Sequence, residues 1–254
     1  MPKLLALVLA LSGCATVVRF QPDLKDGFHR EAGAPYFVYV PSDWSADKSP
    51  PLIVYLHGGA ERGADGILPT QVGLGPVVQA SHGAFPFVVI FPQAPDGSYW
   101  GMPDNNARVL KAIDETVARY HVDPHRIYLT GNSLGGFGSW FMGALYADRF
   151  AALVPICGGV RGRAPKGAPF AQYADGPERV REVVKRIGKT PVWAFHGAAD
   201  WLVPVAYSRE LVQALKDAGG NVHYTEFAGV GHASWVPAYA DPALFTWLAE
   251  QRKE

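Results

Sequence analysis

Short apolar runs and longer segments of helical periodicity alternate along this chain, and the alternation limits the folds that it can form. Seven runs rich in β-branched and aromatic side chains predict strands. Most of these runs are apolar on both faces, which favours a parallel sheet covered by helices on both sides. The predicted strands cover residues 36–40, 52–57, 87–91, 126–130, 152–156, 192–196 and 222–227.

Helical segments separate these runs. Residues 106–120 place one apolar stripe along a helix, and residues 204–220 begin with a proline and end at two glycines, as helices often do. Residues 179–186 alternate valines with charges and predict a helix with a solvated face. Strand and helix in repeated alternation predict a doubly wound α/β sheet. The stripe of the first helix consists of Val109, Ile113, Val117 and Tyr120.

Length and charge narrow the possible functions. A chain of 254 residues fits one α/β domain. Its 23 basic and 23 acidic residues cancel, and no stretch collects one sign, so the composition does not favour a nucleic-acid partner.

The N-terminus predicts export. Lys3 precedes an apolar run from Leu4 to Leu11, as in a secretory signal, and the run is too short to span a bilayer. The sequence LSGC, ending at Cys14, resembles the lipobox of bacterial lipoproteins. This predicts a signal peptide over residues 1–13, a tether over 14–30 and a catalytic domain over 31–254. Lipidation of Cys14 would anchor the protein in the cell envelope. An ordinary cleaved signal, giving a soluble periplasmic or extracellular protein, is the alternative.

A serine between glycines marks the most informative stretch, GNSLG at residues 131–135. It lies where a predicted strand turns into a predicted helix, which is the position of a nucleophile elbow. Glycines two residues before and after Ser133 permit the tight turn, and the turn exposes the serine hydroxyl. The amide of Leu134 then lies at a helix N-terminus, where it is expected to donate to an oxyanion.

A serine nucleophile requires a base and an acid that orients the base. In this architecture the acid follows a late strand and the histidine follows the last strand. Asp200 follows the strand 192–196, and His232 lies in a glycine-rich loop after the strand 222–227. His196 is still on its strand and is predicted to pack or hydrogen-bond there.

The second oxyanion donor is expected in the loop after the strand 52–57. Glycines in this loop let the backbone approach a substrate closely. We assign the donor to the amide of Gly59, with Ala60 as the adjacent alternative. His57 is predicted to fix the loop. Glu61 and Arg62 are expected to pair with each other, to hold the loop or to contact substrate.

These segments together resemble a known superfamily. The sequences LHGGAERG, VDPHRIYLTGNSLGGFGSW, FHGAADWLVP and GVGHASW are similar to those of α/β-hydrolases. More narrowly, they resemble bacterial serine esterases of the phospholipase/carboxylesterase branch, which is dienelactone-hydrolase-like and includes predicted peptidases. The resemblance implies an α/β-hydrolase fold and a triad of Ser133, Asp200 and His232. Dienelactone hydrolysis itself is not expected, because that activity uses a cysteine nucleophile.

The expected activity is hydrolysis of short-chain or aromatic acyl esters through an acyl-enzyme. Alternatives are a serine peptidase related to prolyl oligopeptidases, an esterase acting on feruloyl or acetyl groups of polysaccharides, and a catalytically silent binding module. The peptidase ranks lower because the chain is short for the propeller that those enzymes use. No cofactor is implied, and the histidines show no metal-ligand spacing. Four aromatic residues near the triad segments are candidates for a substrate pocket: Tyr99, Trp100, Trp201 and Trp235.

Overall fold

The computed structural model describes residues 27–30, 36–162, 170–173 and 175–254. Within this part of the chain, eight strands form one sheet in the order β1-β2-β4-β3-β5-β6-β7-β8. The strands are β1 (Phe28–Arg30), β2 (Tyr36–Tyr39), β3 (Leu52–Leu56), β4 (Val88–Pro92), β5 (Ile127–Asn132), β6 (Ala152–Ile156), β7 (Val192–Gly197) and β8 (Val222–Phe227).

Helices cover both faces of the sheet. They are α1 (Leu74–Ala80), α2 (Pro103–Tyr120), α3 (Leu134–Leu145), α4 (Pro177–Ile187), α5 (Ala206–Asp217), α6 (Trp235–Ala240) and α7 (Pro242–Glu250). Single 3-10 turns occur at Gly59–Glu61, Leu68–Thr70 and Ala147–Arg149. Side chains of α2, α3, α4 and α5 pack in the core on one face, and side chains of α1, α6 and α7 pack in the core on the other. This is the doubly wound arrangement that the sequence predicts.

The strand directions decide where a site can form. β1 and β2 pair antiparallel with their neighbours, whereas β3 to β8 are all parallel. The carboxyl ends of parallel strands meet at one edge of the sheet, where open α/β sheets bind their ligands. The loops after the six parallel strands, β3 to β8, therefore converge at that edge.

The structure differs from the predicted elements in places. β1 lies inside the predicted tether 14–30 and pairs with β2, so the sheet begins before residue 31. The helices predicted at 106–120 and 179–186 each begin earlier, at Pro103 and Pro177, because proline fits the first helical turn. Arg179, expected on the solvated face of α4, is only 4% exposed. Its guanidinium donates to the carbonyls of Val160, Gly162 and Tyr173, which explains its burial.

The predicted signal peptide, Cys14 and the tether up to residue 26 lie outside the described residues. Among the helices that the structure describes, none combines the length and the apolar character needed to span a bilayer.

Candidate active site

The turn between β5 and α3 has the strained geometry of a nucleophile elbow. Ser133 has φ 54° and ψ −115°, a conformation that non-glycine residues rarely adopt. A Cβ on Gly131 would stand 2.5 Å from the carbonyl oxygen of Leu56, so no larger residue fits there. A Cβ on Gly135 would lie only 1.8 Å from the same oxygen, so Gly135 is crowded even more tightly. The glycines thus let α3 begin close against β3, and Ser133 lies half-exposed at the tip.

Three side chains from separate loops meet at this tip. The Oγ of Ser133 lies 2.9 Å from Nε2 of His232, and Nδ1 of His232 lies 2.8 Å from Oδ2 of Asp200. Because a carboxylate only accepts, Nδ1 carries the imidazole proton and Nε2 is left to accept from the serine hydroxyl. The structure therefore brings together the three residues that the sequence analysis singled out.

The carboxylate of Asp200 is fixed by several donors. Its Oδ1 accepts from the amides of Leu202 and Val203, both at 2.9 Å. Burial alone raises the pKa of this carboxyl, but the hydrogen bonds from Val203, His232 and Leu202 outweigh burial and hold its pKa below the usual value. The acid thus stays ionised beside the imidazole.

His196, which the sequence predicts to pack or hydrogen-bond on its strand, contacts the same carboxylate. Its Nε2 lies 3.2 Å from Oδ2 of Asp200 and 3.1 Å from the carbonyl of Val203. Burial lowers the pKa of His196, so the ring is neutral and Nε2–H is the donor. Its Nδ1 lies 2.7 Å from the hydroxyl of Ser208, which can then donate to it. A buried histidine four residues before the acid is the sequence signal for this contact.

The loop after β3 presents backbone amides next to the elbow. Gly59 and Ala60 begin a single 3-10 turn and are both exposed. The first amides of such a turn have no acceptor within it. β3 pairs in register with β5, Leu56 opposite Gly131, which brings this turn beside Ser133. Leu134 opens α3 on the other side, and its amide likewise lacks an acceptor within the helix.

The side chain of His57 ties this loop to the core. Its Nε2 accepts from the amide of Ala94 at 2.9 Å, and its Nδ1 donates to the carbonyl of Gly58 at 2.6 Å. Acceptance by Nε2 requires the neutral ring, and burial lowers the pKa of His57 to about 4. The indole of Trp100 donates to the carbonyl of His57 at 2.9 Å.

Glu61 points inward from the same turn. It is 8% exposed, and burial raises the pKa of its carboxyl. It makes no ion pair with Arg62 among the described residues, so the pairing considered from the sequence is absent there.

The four candidate pocket aromatics occupy different surroundings. Trp100 is 4% exposed and packs in the core against α3, so its observed contacts support the loop. Trp201 is 82% and Tyr99 is 40% exposed. The ring of Trp235 stands edge-on to that of His232, with centroids 5.5 Å apart. Three of the four thus lie at the surface or against His232.

Cys157 lies beneath the elbow. Its Sγ accepts from the amide of Ser133 at 3.2 Å, and burial raises the pKa of the thiol to about 12. Cys157, Asp200 and His232 form the one group of three metal-ligand side chains that we find among the described residues, with ligand atoms within 4.8 Å of one another. The same groups are engaged in the hydrogen bonds described above.

Comparison with known families gives this arrangement a context. The family model described as the prolyl oligopeptidase family matches residues 105–249, more than half of the chain. The chain belongs to the prolyl oligopeptidase family. The matched segment contains Ser133, Asp200 and His232.

Two of three similar proteins are esterases by name, and the third is a depolymerase. A thermostable esterase of known structure is 34% identical, with a TM-score of 0.70, over 86% of this chain and 59% of that one. Feruloyl esterase B of Neurospora crassa is 29% identical over 80% of this chain and 74% of its own length. Poly(3-hydroxyalkanoate) depolymerase C of Paucimonas lemoignei is 27% identical over 72% of this chain. The chain spans only 48% of the depolymerase and 59% of the thermostable esterase.

Proposed function

We propose that this protein is a serine carboxylesterase that hydrolyses short-chain or aromatic acyl esters. The observation that carries the proposal is the continuous contact from Ser133 through His232 to Asp200. Such a relay turns a weakly nucleophilic hydroxyl into an attacking group at neutral pH. The esterase names of the relatives support the ester as substrate.

The proposed reaction uses side chains and amides of this chain. His232 takes the proton of Ser133 as the hydroxyl attacks the carbonyl carbon, and Asp200 stabilises the resulting imidazolium. The amides of Leu134 and of Gly59, or of Ala60 beside it, bind the developing oxyanion, where one donor typically contributes about 2.7 to 4 kcal/mol. His232 then protonates the leaving alcohol. Water repeats the sequence on the acyl-enzyme and releases the acid.

Aromatic side chains supply the proposed substrate contacts. Trp201 directly follows Asp200, Tyr99 is exposed, and the Trp235 ring lies against His232, so these three rings are the proposed contacts for an acyl chain or aromatic acid. Trp100 supports this surface from below through its bond to His57. Feruloyl or acetyl groups on polysaccharides are one version of such a substrate, and the named feruloyl esterase relative favours it.

Peptide hydrolysis is the second candidate function, because the family model is that of prolyl oligopeptidases. The same triad serves ester and amide substrates, so the catalytic geometry does not separate the two. Kinetics on an ester and an anilide with the same acyl group separate them. We expect the ratio of kcat/KM for the ester to kcat/KM for the anilide to exceed the ratio of their uncatalysed hydrolysis rates. A higher kcat/KM for the anilide would identify a peptidase.

Replacement of the nucleophile tests the main proposal. Ser133→Ala is expected to abolish hydrolysis of p-nitrophenyl butyrate and labelling by a fluorophosphonate probe. Ser139→Ala is the matched control, since Ser139 lies on the same helix but donates to the carbonyl of Gly135, away from His232. Full activity in Ser133→Ala, or absence of labelling in the wild type, would refute the proposal.

We also propose that the chain is exported and lipid-anchored through Cys14 in the bacterial cell envelope, with residues 1–13 removed. Metabolic labelling with palmitate tests this. The label is expected in the wild type and absent in Cys14→Ser. An unlabelled wild type would leave a soluble periplasmic or extracellular protein.

A further inference from the structure

Arg62 occupies an unusual position in the loop after β3. It directly follows the 3-10 turn Gly59–Glu61 that carries the proposed oxyanion donor. Its guanidinium carbon lies 5.0 Å from the centroid of the Tyr99 ring. One Nη lies 4.0 Å from the point that a Cβ on Gly59 would occupy. The cation therefore stands beside the oxyanion loop, against an exposed aromatic ring.

This guanidinium has no counter-ion among the described residues. Its Nε is buried and has no hydrogen-bond acceptor. Glu61 precedes it but is turned into the protein, and the nearby carboxylate of Asp65 accepts from the amides of Ile67 and Leu68. Partly burying a cation without a partner costs free energy, and an anion that arrives there offsets this cost.

Other arginines show that the chain usually pairs them with acids. Ion pairs with carboxylates are formed by Arg126, Arg149, Arg161, Arg179, Arg186, Arg209 and Arg252. Arg108 and Arg181 also form no such pair among the described residues, so what sets Arg62 apart is its position beside the oxyanion loop and against Tyr99. The formal net charge of the chain is zero, so attraction of anions by the whole protein does not account for a preference.

We propose that Arg62 and Tyr99 form a subsite for a carboxylate in the acyl part of the substrate. This proposal rests on the proposed esterase function and names its substrate class: monoesters of dicarboxylic acids. The leaving alcohol lies beside His232, which protonates it, whereas Arg62 lies on the loop that binds the carbonyl oxygen. A guanidinium binds a carboxylate through two parallel hydrogen bonds, and the Tyr99 ring holds its plane in place.

Two esters of equal chain length provide the test. Mono-p-nitrophenyl adipate and p-nitrophenyl hexanoate share a six-carbon acyl chain and a leaving group, and they differ in the terminal carboxylate. We expect the wild type to have a KM about 10-fold lower or more for the adipate, as a charge-assisted hydrogen bond implies. Arg62→Gln is expected to remove this preference, and Arg62→Lys to keep part of it because it keeps the charge without the two-pronged geometry.

The matched control is Arg119→Gln. Arg119 also lies against a tyrosine, 5.8 Å from the Tyr120 ring centroid, on α2. The Arg119→Gln substitution removes the same charge as Arg62→Gln, and we expect the preference for the adipate ester to persist in it. The preference of the wild type is also expected to shrink in high salt, a readout that does not depend on any variant folding.

Three results would overturn the subsite: equal KM values for both esters in the wild type, a salt-independent preference, or a preference that survives in folded Arg62→Gln. Each of these leaves hexanoate hydrolysis intact and so spares the esterase proposal. A wild type that hydrolyses neither ester would refute both proposals.

Discussion

The two loops that flank Ser133 are held in place in different ways. The loop after β3 is bonded to the segment after β4 by side chains of both: His57 Nε2 accepts from the amide of Ala94, and the indole of Trp100 donates to the carbonyl of His57. The loop after β7 fixes one carboxylate, that of Asp200, while its neighbour Trp201 is 82% exposed. The first loop must position backbone amides, so its whole path is constrained. The second must position a single side chain, and the adjacent position is free to meet substrate.

The largest effect is expected where the second loop is constrained, at Asp200. Asp200→Asn keeps an oxygen for the amides of Leu202 and Val203 but loses control of the His232 tautomer. We expect kcat to fall by about 10⁴-fold with little change in the midpoint of thermal unfolding. Stopped assays with p-nitrophenyl butyrate measure kcat, and thermal melts measure the unfolding midpoint. Asp241→Asn, which removes the acid that caps α7, is the control, and a fall below tenfold in Asp200→Asn would assign the role to another acid.

A smaller effect on stability is expected from the first loop. The pKa of His57 is lowered from 6.5 to about 4, so between these values the unfolded chain binds more protons than the folded one. Stability therefore falls as the pH drops through this window, by about 3 kcal/mol for this group. Denaturant unfolding from pH 7 to pH 4 measures it. His57→Gln is expected to flatten the curve, whereas the exposed control His223→Gln keeps it; equal slopes in wild type and His57→Gln would contradict the assignment.

His196→Phe would sharpen the comparison between the two loops, because it removes one donor to the Asp200 carboxylate while keeping a ring at that position. Fewer donors leave Asp200 a better partner for the imidazolium, so the acidic limb of the kcat/KM profile is expected to move to higher pH. Looser positioning is expected to lower kcat by about tenfold, equivalent to about 1.4 kcal/mol. Glu226, His232 and Cys157 also act on this group of charges and stay unchanged in the variant. If the acidic limb of the kcat/KM profile stays at the same pH in the variant, His196 serves only in packing.

The smallest effect on the fold is expected at Trp201. Trp201→Ala should change the free energy of unfolding by less than about 0.5 kcal/mol, because the side chain is exposed and has no ring partner among the described residues. The KM for aromatic acyl esters is expected to rise by a few-fold. Steady-state kinetics with feruloyl and acetyl esters measure the difference. An unchanged ratio between these two substrates would remove Trp201 from the substrate surface.

The sequence predicted the fold because its parallel strands are continuous apolar runs, which local pattern reveals directly. It missed β1, since three residues at a sheet edge carry too little pattern to separate from a tether. The sequence also predicted that Ser133, Asp200 and His232 lie together, because each of them follows the end of a strand. The catalytic roles of these residues stay predictions until the variants are measured.

Side-chain direction was harder to predict than position. Tyr99 and Trp100 are neighbours in the chain, yet one is half-exposed and the other is in the core. The path of a loop, which decides this, depends on tertiary contacts such as the bond from Trp100 to His57. For the same reason, the sequence left the choice between Gly59 and Ala60 open, and both amides remain candidates.

The thiol beneath the elbow makes the protein suitable for site-directed fluorescence. Maleimides attack thiolates, and Cys157, with a pKa of about 12 and no exposed surface, is almost entirely protonated at neutral pH. In a Cys14→Ser chain, a dye would therefore react with a cysteine introduced at an exposed position such as Val236→Cys. The emission of this dye would report in real time when the acyl group reaches the surface around Ser133.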